Sequence, residues 1–214
     1  MYELKISVKK IMGVCTSHPP CVPGDSFSVL DGDIRVPEGG SICMWALQSM
    51  LPVITPKERS IAEDPNQDWL WRVHHVQCPD PEGRVIYKLE RKGKIDKSMR
   101  SVEKVEDKIT ASHEVTPFDL SERINGLRNL RVVVEEVQGT CTSEMVKGDF
   151  FLLQGGRIYI PHQRHFCLYA LHSVLPLLPA KQRPLKDGDW LKEDNHVICP
   201  DPAGNVVMRI EILP

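Results

Sequence analysis

No charge excess marks this chain: 27 lysines and arginines stand against 29 aspartates and glutamates in 214 residues. No basic block interleaves with aromatic residues. That argues against a general nucleic-acid binder, whose affinity rests on neutralising phosphates. No apolar run approaches the roughly 18 residues of a membrane helix, and Met1 to Lys5 shows no apolar signal core. A soluble, cytoplasmic protein without a membrane partner is expected. Phosphate-binding loops of the G-x-x-x-x-G-K-[ST] type, a G-x-G-x-x-G turn between strand and helix, and a G-x-S-x-G nucleophile elbow are all missing. So is any C-x-x-C pair, the strongest metal-spacing signal. The seven cysteines are odd in number, which argues against a structural disulfide framework and leaves reduced thiols, metal ligands or reactive thiolates.

What the chain has instead is internal repetition. Gly13-Val14-Cys15-Thr16-Ser17 returns as Gly139-Thr140-Cys141-Thr142-Ser143. Cys43-Met44-Trp45-Ala46-Leu47 returns as Cys167-Leu168-Tyr169-Ala170-Leu171, and H-V-x-C-P-D-P-x-G runs from His75 to Gly83 and from His196 to Gly204. A first module over 1–91, a charged linker over 92–129 and a second module over 130–214 follow. A module of under about 90 residues buries only some 60–65% of its unfolded surface. The two copies are therefore expected to pack across a pseudo-twofold axis, as in a symmetric homodimer.

Alternating Leu4, Ile6 and Val8, with Val132 and Val134 in the second copy, predict an opening strand. Asp31-Gly32 and Gly155-Gly156 predict two-residue hairpin turns. Apolar runs predict buried helices over Ile42–Leu51 and Phe166–Leu175, stopped by Pro52 and Pro176. Pro-Asp-Pro-x-Gly predicts the turn of a closing hairpin. In the linker, Thr116-Pro117-Phe118-Asp119 reads as a helix start and Gly126 as its stop. The fold class is α+β, two tandem β-ββ-α-ββ modules.

Three cysteines recur in each copy: Cys15, Cys43 and Cys78, then Cys141, Cys167 and Cys199. A loop, a helix start and a strand end can converge at one rim, and three thiolates with an open fourth position suit zinc or an iron–sulfur cluster. Cys43 and Cys167 are expected in a first helical turn, where the helix dipole favours thiolate. Copy one adds His18 and Cys21, while copy two offers Glu144, His162 or His165, so the sites are expected to be inequivalent. Cysteine also packs as a small hydrophobe, and the six read equally as core residues. His75 and His196 are weaker candidates for a general base, with Asp80 and Asp201 as acids. Each histidine lies three residues before a strand-end cysteine, on the opposite face, so shared ligation is not expected. Pro-Asp-Pro-x-Gly also reads as a turn in which the aspartate bonds its own backbone.

The ordered set G-x-C, G-D, C-x-x-A-L and C-P-D-P resembles a family of short uncharacterised cysteine-containing proteins of mainly anaerobic bacteria and archaea. They usually carry one copy; here the resemblance covers both modules but not the linker. A histidine shortly after the first cysteine, common in that family, is matched by His18 and replaced by Glu144 in copy two. The resemblance implies the module boundaries and an anaerobic setting. The leading expectation is a redox-associated protein with a cysteine-lined zinc or iron–sulfur site per module and a protein partner in a redox pathway. The alternatives are a non-catalytic accessory protein with structural cysteines, and a cofactor-free enzyme acting on a small molecule between the modules.

Overall fold

The computed structural model describes residues 1–59, 69–95 and 123–214. It is mixed α/β, with two antiparallel sheets and few helices. The first part of the chain forms β1 (Tyr2–Ile11), β2 (Ser26–Leu30), β3 (Asp33–Arg35), β4 (Ile42–Cys43), α1 (Met44–Lys57), α2 (Trp69–Arg72), β5 (His75–Gln77) and β6 (Val85–Lys94). A 3-10 turn at Ile124–Gly126 follows. The second part forms β7 (Leu130–Val137), β8 (Phe150–Gln154), β9 (Arg157–Tyr159), β10 (Phe166–Cys167), α3 (Leu168–Val174), α4 (Leu178–Lys181), α5 (Trp190–Glu193), β11 (His196–Ile198) and β12 (Val206–Ile212). The start at Thr116–Asp119 of the expected linker helix lies outside the described residues, and its expected stop, Gly126, closes the 3-10 turn with φ 69°.

The opening strands follow from alternation: Leu4, Ile6 and Val8 on β1, like Leu130, Val132 and Val134 on β7, point into the core. Both tight hairpins form where expected, with Leu30 paired to Asp33 and Gln154 to Arg157. Asp31 at φ 53° and Gly32 at φ 84° supply the left-handed backbone the first turn needs.

The sheets run β10-β3-β2-β1-β6-β5 and β11-β12-β7-β8-β9-β4. Each therefore takes five strands from one part of the chain and one edge strand from the other. Phe166 pairs with Ile34 and Cys167 with Asp33, while Ile42 pairs with Ile158 and Cys43 with Arg157. The crossings are completed by Met44 N–H donating to Gly156 O (2.8 Å) and Leu168 N–H donating to Gly32 O (2.7 Å). The aromatic residue that follows covers the other part's turn glycine: a Cβ on Gly32 would lie 3.2 Å from the Tyr169 ring, and one on Gly156 3.7 Å from Trp45. One buried apolar core runs through both parts.

Two helix expectations are corrected. Ile42–Cys43 and Phe166–Cys167 are short strands, so each cysteine precedes its helix in extended conformation (φ −67°, ψ 121° at Cys43). Their backbone groups are claimed by the other sheet's edge. Helix α1 also continues through Pro52 and Pro56 to Lys57. A proline in a helix interior costs about 3 kcal/mol. Here Pro52 faces solvent while the extra turn buries Ile54 and Lys57, whose Nζ donates to Leu70 O (3.0 Å) and Val73 O (2.6 Å). In the second part α3 ends before Pro176, and the buried Lys181 on α4 similarly donates to Asp194 O (2.6 Å) and Asn195 Oδ1 (2.8 Å).

Candidate functional site

The loop after β1 is clamped onto the Pro79–Gly83 turn. Gly13 N–H donates to Gly83 O and Val14 N–H to Glu82 O, both at 3.1 Å. The approach is so close that a Cβ on Gly13 would lie 1.9 Å from Glu82 O, which only glycine accommodates. Asp80 ties the two loops together, accepting from Glu82 N–H (3.0 Å) and Thr16 Oγ1–H (2.9 Å). Burial raises the affinity of Asp80 for its proton, but the bonds from Thr16, Glu82 and Gly83 outweigh it and hold the carboxyl below its usual range. The clamp sets Cys15 beside Cys78, whose sulfur accepts from Asp80 N–H (3.4 Å).

A cavity of about 480 Å³ opens over this clamp. Cys15, Cys21, Cys43 and Cys78 all border it, together with His18 and Asp80. Its remaining wall is shared between the first part, including Trp45 of α1 and Tyr87, the segment around the 3-10 turn with Ile124 and Leu127, and the second part with Gln182 and Arg183. Sequence, loop geometry and strand exchange thus bring four thiols to one space. Among the described residues, no group of three or more His, Cys, Asp or Glu side chains is arranged to hold a metal ion.

Cys21 has the most distinctive surroundings. It is 3% exposed, its N–H donates to Cys15 Sγ (3.4 Å), and its sulfur is ringed by donors. Arg157 Nη1 lies 2.9 Å away and the Tyr87 hydroxyl 3.2 Å away, and the Cys43 thiol is hydrogen-bonded to the same sulfur. Arg157 is held by Ser41 Oγ (2.9 Å) and Ser41 O (3.1 Å), with Asp25 at 3.7 Å. The Cys43 thiol, the Arg157 charge and the Tyr87 hydroxyl together lower the Cys21 pKa to about 5 against the opposing effect of burial. The hydrogen bond to Cys21, then burial, pushes Cys43 above the ordinary thiol range. Of the two, Cys21 carries the charge, because the guanidinium and the phenol both address its sulfur.

The helix-start expectation for Cys43 and Cys167 is therefore corrected in direction. Neither is a helix-dipole thiolate: Cys43 is raised by its neighbour and burial, and Cys167 by burial. In the second part, Cys167 is hydrogen-bonded to Ser143, and Cys199 Sγ accepts from Val206 N–H (3.2 Å). Cys141 is half-buried. His165 Nε2 lies 2.7 Å from Ser143 O and 3.9 Å from Asp33, His162 lies 4.0 Å from Glu38, and Glu144 is exposed on a turn. His75 is exposed on β5 with Lys9 Nζ at 3.2 Å, and His196 on β11 pairs with Glu135 at 2.7 Å. Asp201, like Asp80, accepts from the backbone two residues on (3.0 Å).

Arg157 and Tyr87 are not visible as site residues in a motif search, yet the repeat carries a signal for both. Where copy one has Cys21 and Tyr87, copy two has Met145 and Met208. At the hairpin position where copy two has Arg157, copy one has Asp33. These three departures meet at one sulfur.

No family model matches the chain, and neither a curated protein nor a solved structure is significantly similar to it.

Proposed function

We propose that the chain is a two-module, redox-associated thiol protein with one working site, in which Cys21 is a thiolate nucleophile facing the shared cavity. The observation that carries this reading is the donor ring on Cys21: Arg157, Tyr87 and the Cys43 thiol all address a sulfur that borders open space. Burying a charge is favourable only with such compensation. Paired hydrogen bonds support two related modules meeting across a pseudo-twofold axis. Gly24 N–H to Val8 O (3.0 Å) answers Gly148 N–H to Val134 O (2.9 Å), and Cys78 N–H to Val85 O answers Cys199 N–H to Val206 O, both 2.9 Å. The modules then differ in chemistry, with the reactive thiol in the first only.

The test is competitive alkylation with iodoacetamide at pH 6, read by peptide mapping. Cys21 should label faster than Cys15, Cys78 and Cys141, and Arg157→Met should reduce its lead. Equal or slower labelling of Cys21 rejects the reading and leaves the accessory-protein alternative with structural thiols.

A second reading is favoured by the four sulfurs that border one cavity: a soft metal, zinc or an iron–sulfur cluster, held by Cys15, Cys21, Cys43 and Cys78. Purification without oxygen, followed by elemental analysis and a visible spectrum, tests it. Stoichiometric metal that is lost in Cys43→Ala supports it, and metal-free protein with the Cys21 reactivity above rejects it.

A further inference from the structure

We propose that Cys21 and Cys43 form an exchange pair that reduces a low-molecular-weight disulfide entering the cavity, with Cys21 as attacking sulfur and Cys43 as resolving sulfur. The inference rests on the thiolate reading above and adds a substrate class and a second residue.

Three observations carry it. First, Cys21 is 3% exposed and is reached through a cavity of about 480 Å³, so a slender small molecule can meet its sulfur and a folded protein's disulfide cannot. Second, a further cysteine, Cys43, is hydrogen-bonded to the nucleophile and borders the same cavity. A resolving thiol serves an adduct that is itself an attackable sulfur, which a mixed disulfide is and a carbon adduct is not. Third, the two sulfurs differ in their partners: Arg157 Nη1 lies 2.9 Å and the Tyr87 hydroxyl 3.2 Å from Cys21 Sγ, placing donors on the attacking sulfur. A charged attacker beside a protonated partner is the arrangement that ordered exchange requires.

The steps balance. The Cys21 thiolate attacks one sulfur of the small disulfide, a Cys21–substrate disulfide forms, and the substrate's own S–S bond breaks. The departing thiolate takes the proton of the Cys43 thiol. The resulting Cys43 thiolate attacks Cys21 Sγ, the mixed disulfide breaks, and the second departing thiolate takes a proton from water. The small disulfide gains two electrons and the Cys21–Cys43 pair loses them to form one internal disulfide. Return to the dithiol needs a thiol reductant, such as dithiothreitol, which a single-turnover measurement leaves out.

The full chain, reduced and freed of reductant, is mixed with bis(2-hydroxyethyl) disulfide, and released thiol is counted while the products are mapped by mass spectrometry. The wild type should release two thiols per chain and yield a Cys21–Cys43 linkage. Cys43→Ala should release one and stop at a mixed disulfide on Cys21, and Cys21→Ser should leave Cys43 unmodified. The wild-type map decides the matter even if a variant folds poorly. A stable mixed disulfide in the wild type, or a Cys15–Cys21 linkage, overturns the exchange pair. If Cys21 leads in alkylation but no exchange occurs, the thiolate reading stands and this inference falls; if Cys21 is inert in both assays, both fall.

Discussion

At the scale of single residues, Cys21 is set by what its neighbours donate. An opposite charge within a few ångströms lowers an acid's pKa by about 1–3. Arg157→Met should therefore raise the Cys21 pKa by about that amount, measured by thiolate ultraviolet absorbance against pH. Cys43 separates donation from packing. Cys43→Ser keeps a donor toward Cys21 and should hold the pKa down, while Cys43→Ala should let it rise. As packing alone, alanine should cost on the order of 1 kcal/mol. A serine hydroxyl that fails to find Cys21 would cost about 1–3 kcal/mol. A rise in both variants would remove Cys43 as the donor. Stability should follow the same charge. Unfolded, Cys21 keeps its proton up to the ordinary thiol range, whereas folded it loses the proton at about 5. Between those values the unfolded chain binds more protons, so this contribution grows as pH rises toward 9 and is lost as pH falls through about 5. Above the ordinary thiol range Cys43, raised by Cys21 and by burial, acts in the opposite direction. The melting temperature should climb between pH 5.5 and 8.5, and the climb should flatten in Cys21→Ala.

At the scale of elements, the locally determined pieces were the legible ones. Asp31-Gly32 and Gly155-Gly156 fix their hairpins through four consecutive residues, and β1 and β7 announce their buried faces by alternation. Both ends of helix α1 are set by non-local contacts that its own sequence does not display. Pairing of Ile42 with Ile158 sets its start, and at its end Lys57 finds carbonyl partners at Leu70 of α2 and at Val73. The loop clamp provides an element-level prediction. With backbone oxygens 1.9 Å and 2.0 Å from an added Cβ, Gly13→Ala and Gly139→Ala must both push a loop away from its turn. Overpacking of this kind costs about 1–3 kcal/mol, checked by denaturant titration. Only Gly13→Ala should also slow Cys21 alkylation, since it displaces the Cys15 loop at the cavity. Equal alkylation in both variants would show that the clamp has no part in the site.

At the scale of the molecule, the recurring motifs were legible in the sequence but the exchange of edge strands was not. Two-residue strands such as Ile42–Cys43 carry no periodicity, and their partners lie more than a hundred residues away. The candidate site was half legible for the same reason: Cys15, Cys43 and Cys78 recur and draw notice, while Arg157 acts from the opposite sheet. The exchange yields a prediction of its own. Ile42→Pro removes a ladder donor at the edge of the second sheet and should loosen Arg157 from Ser41 as well. It should lower the melting temperature and raise the Cys21 pKa together, whereas Ile212→Pro, at the last residue of β12, should affect stability alone.

The reach from Arg157 to Cys21 also has a meaning in time. The two residues are 136 positions apart, and a ribosome adding about 5–20 residues per second needs on the order of ten seconds to pass from one to the other. Throughout that interval Arg157 is not yet available to Cys21. On the proposed thiolate reading, the nascent chain would be less open to oxidants than the finished one, and the sulfur would gain its last donor only when the later part docks. Ribosome-bound chains halted before residue 157 should show Cys21 alkylating no faster than Cys15, and released full-length chains should show the difference in full.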